Sequence, residues 1–429
     1  MSKAVARKPA SAAPAALCLA LLCAPWLGPA GAQVDEWVPE LPMLQDCGVS
    51  ARAIGMGGAY LAISDDAAAL RYNPAGLARI NRIEFSGTLT DIKRDVETVS
   101  AGTTLEGSLA RTRVTSLGFV YPFPTYRGSM VIALGYSVPW IIDREYRRAW
   151  GAAGGVSIDE LYDDGTVGEW SFGYAVDVSP TLSLGLRASR IHGSWLRDSR
   201  CLQDGAIIEQ WSTEYDVDGY TGSLGALARM GNQMKLGLII DLPRWIHWDP
   251  TESSKDGVIR YAKEDLTYPF SAAVGTAVAF GNLLLAGDAR YTDWTLIDYK
   301  GPMRYLDASG MHDAYRRTWD LHLGAEYLLD VGGAGLRLRA GYAYEPVPCR
   351  VLLQDVILAE DPADDQPVYA RANFGAQLGH VTLGAGILLQ QSVTLDLAYS
   401  TGSFGRAVWG LSEEHDERRL LLTAAFRLE

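Results

Sequence analysis

The residues of this 429-residue chain whose types could do chemistry are few and widely scattered. His192, His247, His312, His322, His380 and His415 form no His-Glu-x-x-His or other close ligand pair, so no metal site is expected. No Gly-x-Ser-x-Gly elbow occurs, and Gly55-x-Gly57 lacks both a preceding strand and the third glycine of a dinucleotide loop. Asp320 and His322 share one face of an alternating stretch, where a nearby serine would complete a hydrolase site. Filling of a polar interior is the preferred reading for both. Arg290, Arg337 and Arg339 fall on the same kind of face as Asp288, Asp320 and Glu326. Cations and acids on neighbouring strands read as a ladder of neutralising pairs rather than as a seat for a carboxylate. The chain is expected to be no enzyme and to need no cofactor.

These side chains must be positioned by strands. From Ile83 onward the sequence repeats about ten residues of period-two alternation followed by a break. Trp319, Leu321, Leu323, Ala325, Tyr327 and Leu329 oppose Thr318, Asp320, His322, Gly324 and Glu326. Leu336, Leu338, Ala340, Tyr342 and Tyr344 oppose Arg337, Arg339, Gly341, Ala343 and Glu345 in the same way. One face must meet something apolar and the other something wet. Fourteen strands are expected, near 83–92, 111–121, 128–138, 168–178, 181–191, 218–229, 233–241, 268–280, 282–292, 318–329, 334–345, 377–389, 392–400 and 418–428. Six connections are short, such as Ser179-Pro180, Gly281 and Gln390-Gln391, and they alternate with seven long ones. Short turns at one end and long loops at the other describe an all-β fold, a 14-stranded antiparallel transmembrane β-barrel over 83–429 with both termini on the short-turn side. Trp319, Tyr327, Tyr342, Tyr344, Tyr291 and Tyr399 lie near strand ends, where interfacial girdles require them.

Composition agrees. The hydrophobic fraction of 48% excludes a disordered chain, and only the N-terminus carries a long apolar run, against a helical membrane bundle. A net charge of -13 argues against a nucleic-acid partner. Residues 1–32 read as a signal peptide, with Lys3, Arg7 and Lys8 ahead of the apolar Leu17 to Leu27 and Ala30-Gly31-Ala32 before Gln33. That places the chain in a Gram-negative-type cell outer membrane, in contact with its lipid. The last strand carries Leu420, Leu422, Ala424, Phe426 and Leu428 in phase; many such barrels finish on an aromatic residue that barrel-assembly machinery recognises, whereas this one ends Phe426-Arg427-Leu428-Glu429. Beyond the signal only Cys47, Cys201 and Cys349 remain; one disulfide among them is open in an oxidising compartment, and the sequence does not choose the pair.

Residues 33–82 differ from the rest. Gly55, Gly57 and Gly58 permit close packing or positive φ. Ser64 is placed to cap a short helix, with Asp65 and Asp66 at its start, and Pro74 stops that helix by Asn73. A compact glycine-rich segment that cannot join the wall is expected to fold inside it as a plug.

The glycine cluster, Asp65-Asp66-Ala67 and Asn73-Pro74-Ala75-Gly76 resemble the hatch of the FadL-type family, outer-membrane transporters of long-chain fatty acids and other hydrophobic compounds. Tyr291-Thr292-Asp293-Trp294, Leu323-Gly324-Ala325-Glu326-Tyr327, Arg339-Ala340-Gly341-Tyr342 and Leu395-Asp396-Leu397-Ala398-Tyr399 resemble that family's later strands. The resemblance implies fourteen strands, a hatch gated through Gly55, Gly57, Gly58, Asp65, Asp66, Asn73, Pro74, Ala75 and Gly76, and passive transport of a hydrophobic small-molecule ligand with lateral exit through the wall. Candidate capture residues are Trp140, Ile141, Ile142 and Trp150 after the third strand, and Trp245, Ile246 and Trp248 after the seventh. The same hatch pattern occurs in the shuttle barrel of type IX secretion, so an interaction barrel holding another envelope protein is the alternative. The family's lateral opening involves a disrupted third strand; here that strand is expected to end near Pro139 with no plain interruption.

Overall fold

The structure is a computed structural model of the chain and describes residues 47–100, 102–152, 155–254, 257–260, 263–300, 315–331, 334–348, 377–390, 392–408 and 411–428. The expected signal segment, and residues 33–46 of the expected plug, lie outside the described residues.

In chain order the strands are β1 (Ile83–Ser100), β2 (Thr103–Phe123), β3 (Met130–Ile141), β4 (Arg144–Ala152), β5 (Gly155–Ser179), β6 (Leu182–Gln203), β7 (Ala206–Met230), β8 (Met234–Asp241), β9 (Arg244–Ser254), β10 (Gly257–Arg260), β11 (Glu264–Tyr268), β12 (Ser271–Phe280), β13 (Leu283–Asp293), β14 (Asp298–Lys300), β15 (Arg317–Val331), β16 (Ala334–Pro346), β17 (Gln377–Leu389), β18 (Val393–Val408) and β19 (Leu411–Leu428). Fourteen of them form the wall: β1, β2, β3, β5, β6, β7, β8, β12, β13, β15, β16, β17, β18 and β19 pair antiparallel in turn, and β19 pairs back onto β1 from Ile83–Leu428 to Ser100–Leu411. Closure leaves no edge strand. β4, β9, β10, β11 and β14 extend the wall at the end opposite the short turns.

The expected strands occur where the alternation put them, but the expected long loops are largely more strand. β1 and β2 run on to a hairpin closed at Ser100–Thr103, and β6 and β7 to one closed at Gln203–Ala206. Asp204 (φ 52°) and Gly205 (φ 79°) make the left-handed turn that such a two-residue hairpin needs.

On the wall, alternate residues face outward and are apolar: Phe85, Leu117, Leu134, Leu224, Leu323, Leu397 and Leu422 are among the exposed ones. The inward positions are small or polar, as in Thr88, Ser171, Thr382 and Asp396, all buried. Aromatic pairs mark both ends of the apolar band. Phe85 and Phe119 meet near the short turns with ring centroids 4.9 Å apart, and Tyr291 and Trp319 meet near the other end at 5.1 Å.

Residues 47–80 do not join the wall. They form α1 (Ala51–Gly55), α2 (Ala69–Tyr72) and a 3-10 helix (Pro74–Arg79), with Met56, Tyr60, Ile63, Ala75 and Leu77 almost fully buried. α1 packs on β16, β17, β18 and β19, and the 3-10 helix on β3, β5, β6 and β7. β6 and β17 stand seven places apart in a ring of fourteen, so the segment crosses the lumen from one side to the other. α1 is capped by Ser50, whose side chain accepts from the Ala53 amide at 3.5 Å. Ser64 caps no helix, contrary to expectation. α2 starts after Ala68, whose amide is taken by Asp66 at 3.1 Å, while the Ser64 hydroxyl donates to the Tyr60 carbonyl at 3.0 Å.

β3 also differs from expectation. It continues through Pro139 to Ile141, yet its ladder with β2 stops at Ser116–Ser137, although β2 runs on to Thr103. Its register with β5 slips between Ser137 and Trp140. The Pro139 carbonyl there turns to the amide of Cys47, at 2.7 Å.

Candidate functional site

Two arrangements lie inside the wall. The first is the lock that holds the internal segment. Polar groups of the wall take up backbone groups that the segment's own turns and short helices leave unpaired. Asp288 accepts from the amides of Tyr60 and Leu61 at 2.6 and 2.9 Å, Glu84 from Ala67 at 2.8 Å, and Thr423 from Ala51 at 2.9 Å. His322 meets the Gly57 carbonyl at 2.8 Å, and Thr382 the Gly55 carbonyl at 3.4 Å. Gly57 and Gly58 have φ of 64° and 81°, which side chains disfavour. Asn73 is fully buried: its Oδ1 accepts from the Ala75 amide at 3.1 Å, and its Nδ2 donates to the carbonyls of Leu61 and Ala226 at 2.8 and 3.1 Å. Pro74 opens the 3-10 helix, and an added Cβ at Gly76 would strike the Ser64 carbonyl. The residues expected to form the hatch, from Gly55 to Gly76, lie in this internal segment.

Sequence reasoning missed the wall's half of it. Gly185, Gly225, Gly237, Gly324 and Gly341 face inward, and an added Cβ there would collide with the segment at Pro74, Asn73, Leu61, Met56 and Gly57 respectively. Glycine at alternate strand positions was the available signal.

Charge completes the lock. Arg52 is bonded to Asp65 and lies 3.7 Å from both Asp66 and Glu326, and it donates to the Tyr60 hydroxyl at 3.1 Å. That hydroxyl donates to Asp66 at 2.6 Å. Glu326 is shared with Arg339 (2.7 Å), which also holds Asp396 (2.5 Å). Arg290 pairs with Asp241 and stands opposite Asp320 in the ladder; Arg337 lines a cavity together with Arg52, Asp66, Glu84, Gly135 and Tyr136. Arg290 and Arg339 are thus partnered by acids, in keeping with a neutralising ladder.

Burial above all, helped by the charges of Glu84 and Asp65, lifts the Asp66 carboxyl to about 6 against the pull of Arg52. Burial acts in the same direction on Asp65, but Arg52 outweighs it and holds Asp65 below the ordinary value. A carboxyl raised in the docked state binds its proton more tightly there than when the segment is released. Docking is therefore favoured as the pH falls through about 6 and weakened above it, whereas Asp65 acts with opposite sign only below its ordinary 3.8. Hydrogen exchange of the 47–80 amides should then be about tenfold slower at pH 5 than at pH 7.5 after correction for intrinsic rates, or ~1.4 kcal/mol. Asp66→Asn should flatten that dependence. A wild-type profile already flat over this range would refute the assignment.

The second arrangement is an aromatic cluster toward the extended end of the barrel. Trp140, Trp195, Trp248, Trp294, Tyr268 and Tyr299 pack with Val167, Ile191, Val217, Ile246, Leu266 and Ile297, all buried. Trp195 stacks on Tyr215 with centroids 4.4 Å apart and meets Trp248 edge-on at 5.8 Å. The Arg244 guanidinium lies 5.1 Å from the Trp140 ring centre and 4.6 Å from that of Tyr268. Of the residues expected to capture ligand, Trp140, Ile246 and Trp248 come together here, and Ile142 packs at the edge. Ile141 belongs instead to a small cluster with Cys47, Ile92 and Val138. Trp245 is 47% exposed and stands on the opposite face of β9 from Ile246 and Trp248. Trp150 pairs by its backbone with Ser157, and its side chain lies outside the described residues. Trp195, Trp294, Tyr268 and Tyr299 were not anticipated. Cys47 and Cys201 are free thiols, and Cys349 lies outside the described residues.

A closed fourteen-stranded barrel crossed by an N-terminal segment, with an aromatic cluster in its lumen, defines the architecture. No family model and no curated protein sequence matches the chain. Solved structures do. A Pseudomonas aeruginosa FadL homologue matches with a TM-score of 0.62 at 15% identity, over 89% of this chain and 98% of that one. The toluene transporter TodX of P. putida matches at 0.61 and 18%, over 89% and 99%, and the toluene transporter TbuX of Ralstonia pickettii at 0.59 and 14%, over 89% and 99%. At these identities the likeness is one of fold: the chain has the FadL-type barrel.

Proposed function

We propose that this protein is a passive outer-membrane channel for hydrophobic small molecules. The observation that carries the reading is the buried aromatic cluster inside a barrel whose lumen the 47–80 segment crosses. An apolar solute gains about 0.8 kcal/mol for each methylene it buries, so such a cluster concentrates it from dilute solution where an open aqueous pore would not. The toluene transporters of the same fold point to the same class of cargo. The outward apolar band and its aromatic girdles fit a bilayer, and outer-membrane lipid is the surrounding solvent.

In this mechanism the solute is captured at Trp140, Ile246 and Trp248, and release of the 47–80 segment opens the way below. Exit is lateral, where the β2–β3 ladder ends at Ser116–Ser137 and the cavity reaches Leu117, Gly118, Gly135 and Tyr136. A solute leaving there passes between strands into lipid without crossing water.

Gentle detergent extraction followed by native mass spectrometry tests the reading. The mature barrel should retain a stoichiometric hydrophobic compound, with occupancy reduced at least about tenfold by Trp140→Ala or Trp248→Ala, as expected for loss of a large buried ring. A barrel that comes away empty of small molecules but bound to another envelope protein would replace the channel with the interaction platform.

A further inference from the structure

Three buried polar atoms in or beside the aromatic cluster have no hydrogen-bond partner among the described residues: the indole nitrogens of Trp195 and Trp248 and one carboxylate oxygen of Glu264. Their residues are 3%, 5% and 6% exposed, so water does not serve them from the surface. They are neighbours. The Trp195 and Trp248 rings meet edge-on at 5.8 Å, and Trp248 and Glu264 stand directly opposite each other on β9 and β11, both turned inward. Leu266, Ile246 and Val217 pack in the same cluster, and Tyr299 stands opposite Leu266 on β14.

Leaving a buried donor or acceptor unmet costs roughly 1–3 kcal/mol. Three such atoms gathered in one apolar cluster are therefore a demand that an occupant can meet. The chemistry of the three selects among occupants. A bare hydrocarbon inserted among the rings leaves all three unsatisfied. A carboxylate would be brought against Glu264, a like charge in a low dielectric. A cation would meet Glu264 but leave the two N–H donors without an acceptor. A neutral hydroxyl answers both needs, because it donates one hydrogen and offers lone pairs to N–H groups. A flat ring beside that hydroxyl exchanges the existing ring–ring contacts for ring–ligand contacts of the same kind.

We infer that the cluster is selective for an apolar aromatic compound bearing one neutral hydroxyl, an alkylphenol or close relative, whose hydroxyl donates to Glu264 and accepts from the indole N–H of Trp248 or Trp195. This rests on the channel reading and sharpens it from hydrophobic compounds in general to one class.

The test compares 4-propylphenol with propylbenzene, which share a shape and differ in the hydroxyl, by calorimetric titration of the full-length purified barrel. The quantity read is the ratio of the two affinities, which cancels what both owe to burial of the ring and chain. Glu264→Leu and, separately, Trp248→Phe should lower that ratio at least tenfold relative to wild type while propylbenzene still binds. A ratio unchanged in both variants overturns the hydroxyl assignment and leaves the channel reading standing. Variants that lose both ligands equally also overturn it, since the residues would then be structural. A wild-type barrel that binds neither compound overturns the hydroxyl assignment and the channel reading together.

Discussion

Gly341→Leu should turn the closed barrel into an open one. Gly341 faces inward on β16, and a Cβ there would meet the backbone of Met56 and Gly57, not a side chain able to swing aside. Gly324, on the neighbouring β15, bears on the Met56 carbonyl in the same way. Overpacking of a core by a few methylenes costs typically 1–3 kcal/mol when neighbours can shift. Here the neighbours are main chain on both sides, and the wall is held by continuous ladders to β15 and β17. The internal segment must give way. A fourteen-stranded wall without it encloses an aqueous lumen, as barrels of this size do when unplugged. In planar bilayers the variant should conduct steadily, at least about ten times the wild-type current, while heat-modifiable mobility on a gel shows the wall still folded. Gly335→Ala is the control, because its Cβ would rest 3.5 Å from Leu328 in ordinary contact, and it should be silent. A folded Gly341→Leu barrel with wild-type conductance would mean that the segment does not close the pore.

That the wall half of the lock went unread has a physical cause. In the sequence, Gly324 and Gly341 are simply small members of a wet-facing set that also holds Asp320, His322, Arg337 and Arg339. Alternation reports which side of a strand is apolar; it carries nothing about what approaches from the other side. For the same reason the part of each wall strand within the outward apolar band was legible and its extension was not. Past the outward apolar band neither face keeps a single character, so the run from His192 to Gln203 loses its period although β6 continues through it. Asp204-Gly205 was a local clue to the hairpin, but a turn dipeptide speaks only when two strands are already recognised beside it. The aromatic cluster was half legible. Trp140, Ile246 and Trp248 stood out as aromatic and aliphatic residues in expected loops, yet Trp245 looks identical on paper and faces outward, because the one-residue alternation of β9 separates it from both neighbours. Trp195, Tyr268 and Tyr299 reach the cluster from strands far apart in sequence, and only closure of the ring brings them together.

Arg52→Met should release the internal segment through electrostatics alone. Arg52 is the cation on which Asp65, Asp66 and Glu326 converge, two from the segment and one from β15, and its guanidinium also lies 5.4 Å from the Tyr60 ring centre. Methionine keeps much of the side chain's volume and removes the charge. Taking one partner from a buried ionic group costs about 3–5 kcal/mol, since the remaining charges stay desolvated and unpaired. Glu326 retains Arg339 at 2.7 Å, so the unmet charge falls on Asp65 and Asp66, within the segment itself. The wall should stay folded while the 47–80 amides exchange roughly a hundredfold or more faster, as a loss of about 3 kcal/mol dictates. The variant also carries its own internal check. Without Arg52 only the Tyr60 hydroxyl still offsets burial at Asp66, and Asp65 loses the main partner that held it below the ordinary value, so both carboxyls become more basic in the docked state. Protonating them removes the repulsion, and lowering the pH toward 5 should restore part of the protection in Arg52→Met. Glycine substitution at β16 should show no such rescue, because acid does nothing for a steric clash. If Arg52→Met leaves exchange unchanged, or if both variants respond to acid alike, the segment is held by packing and the charge network is incidental to closure.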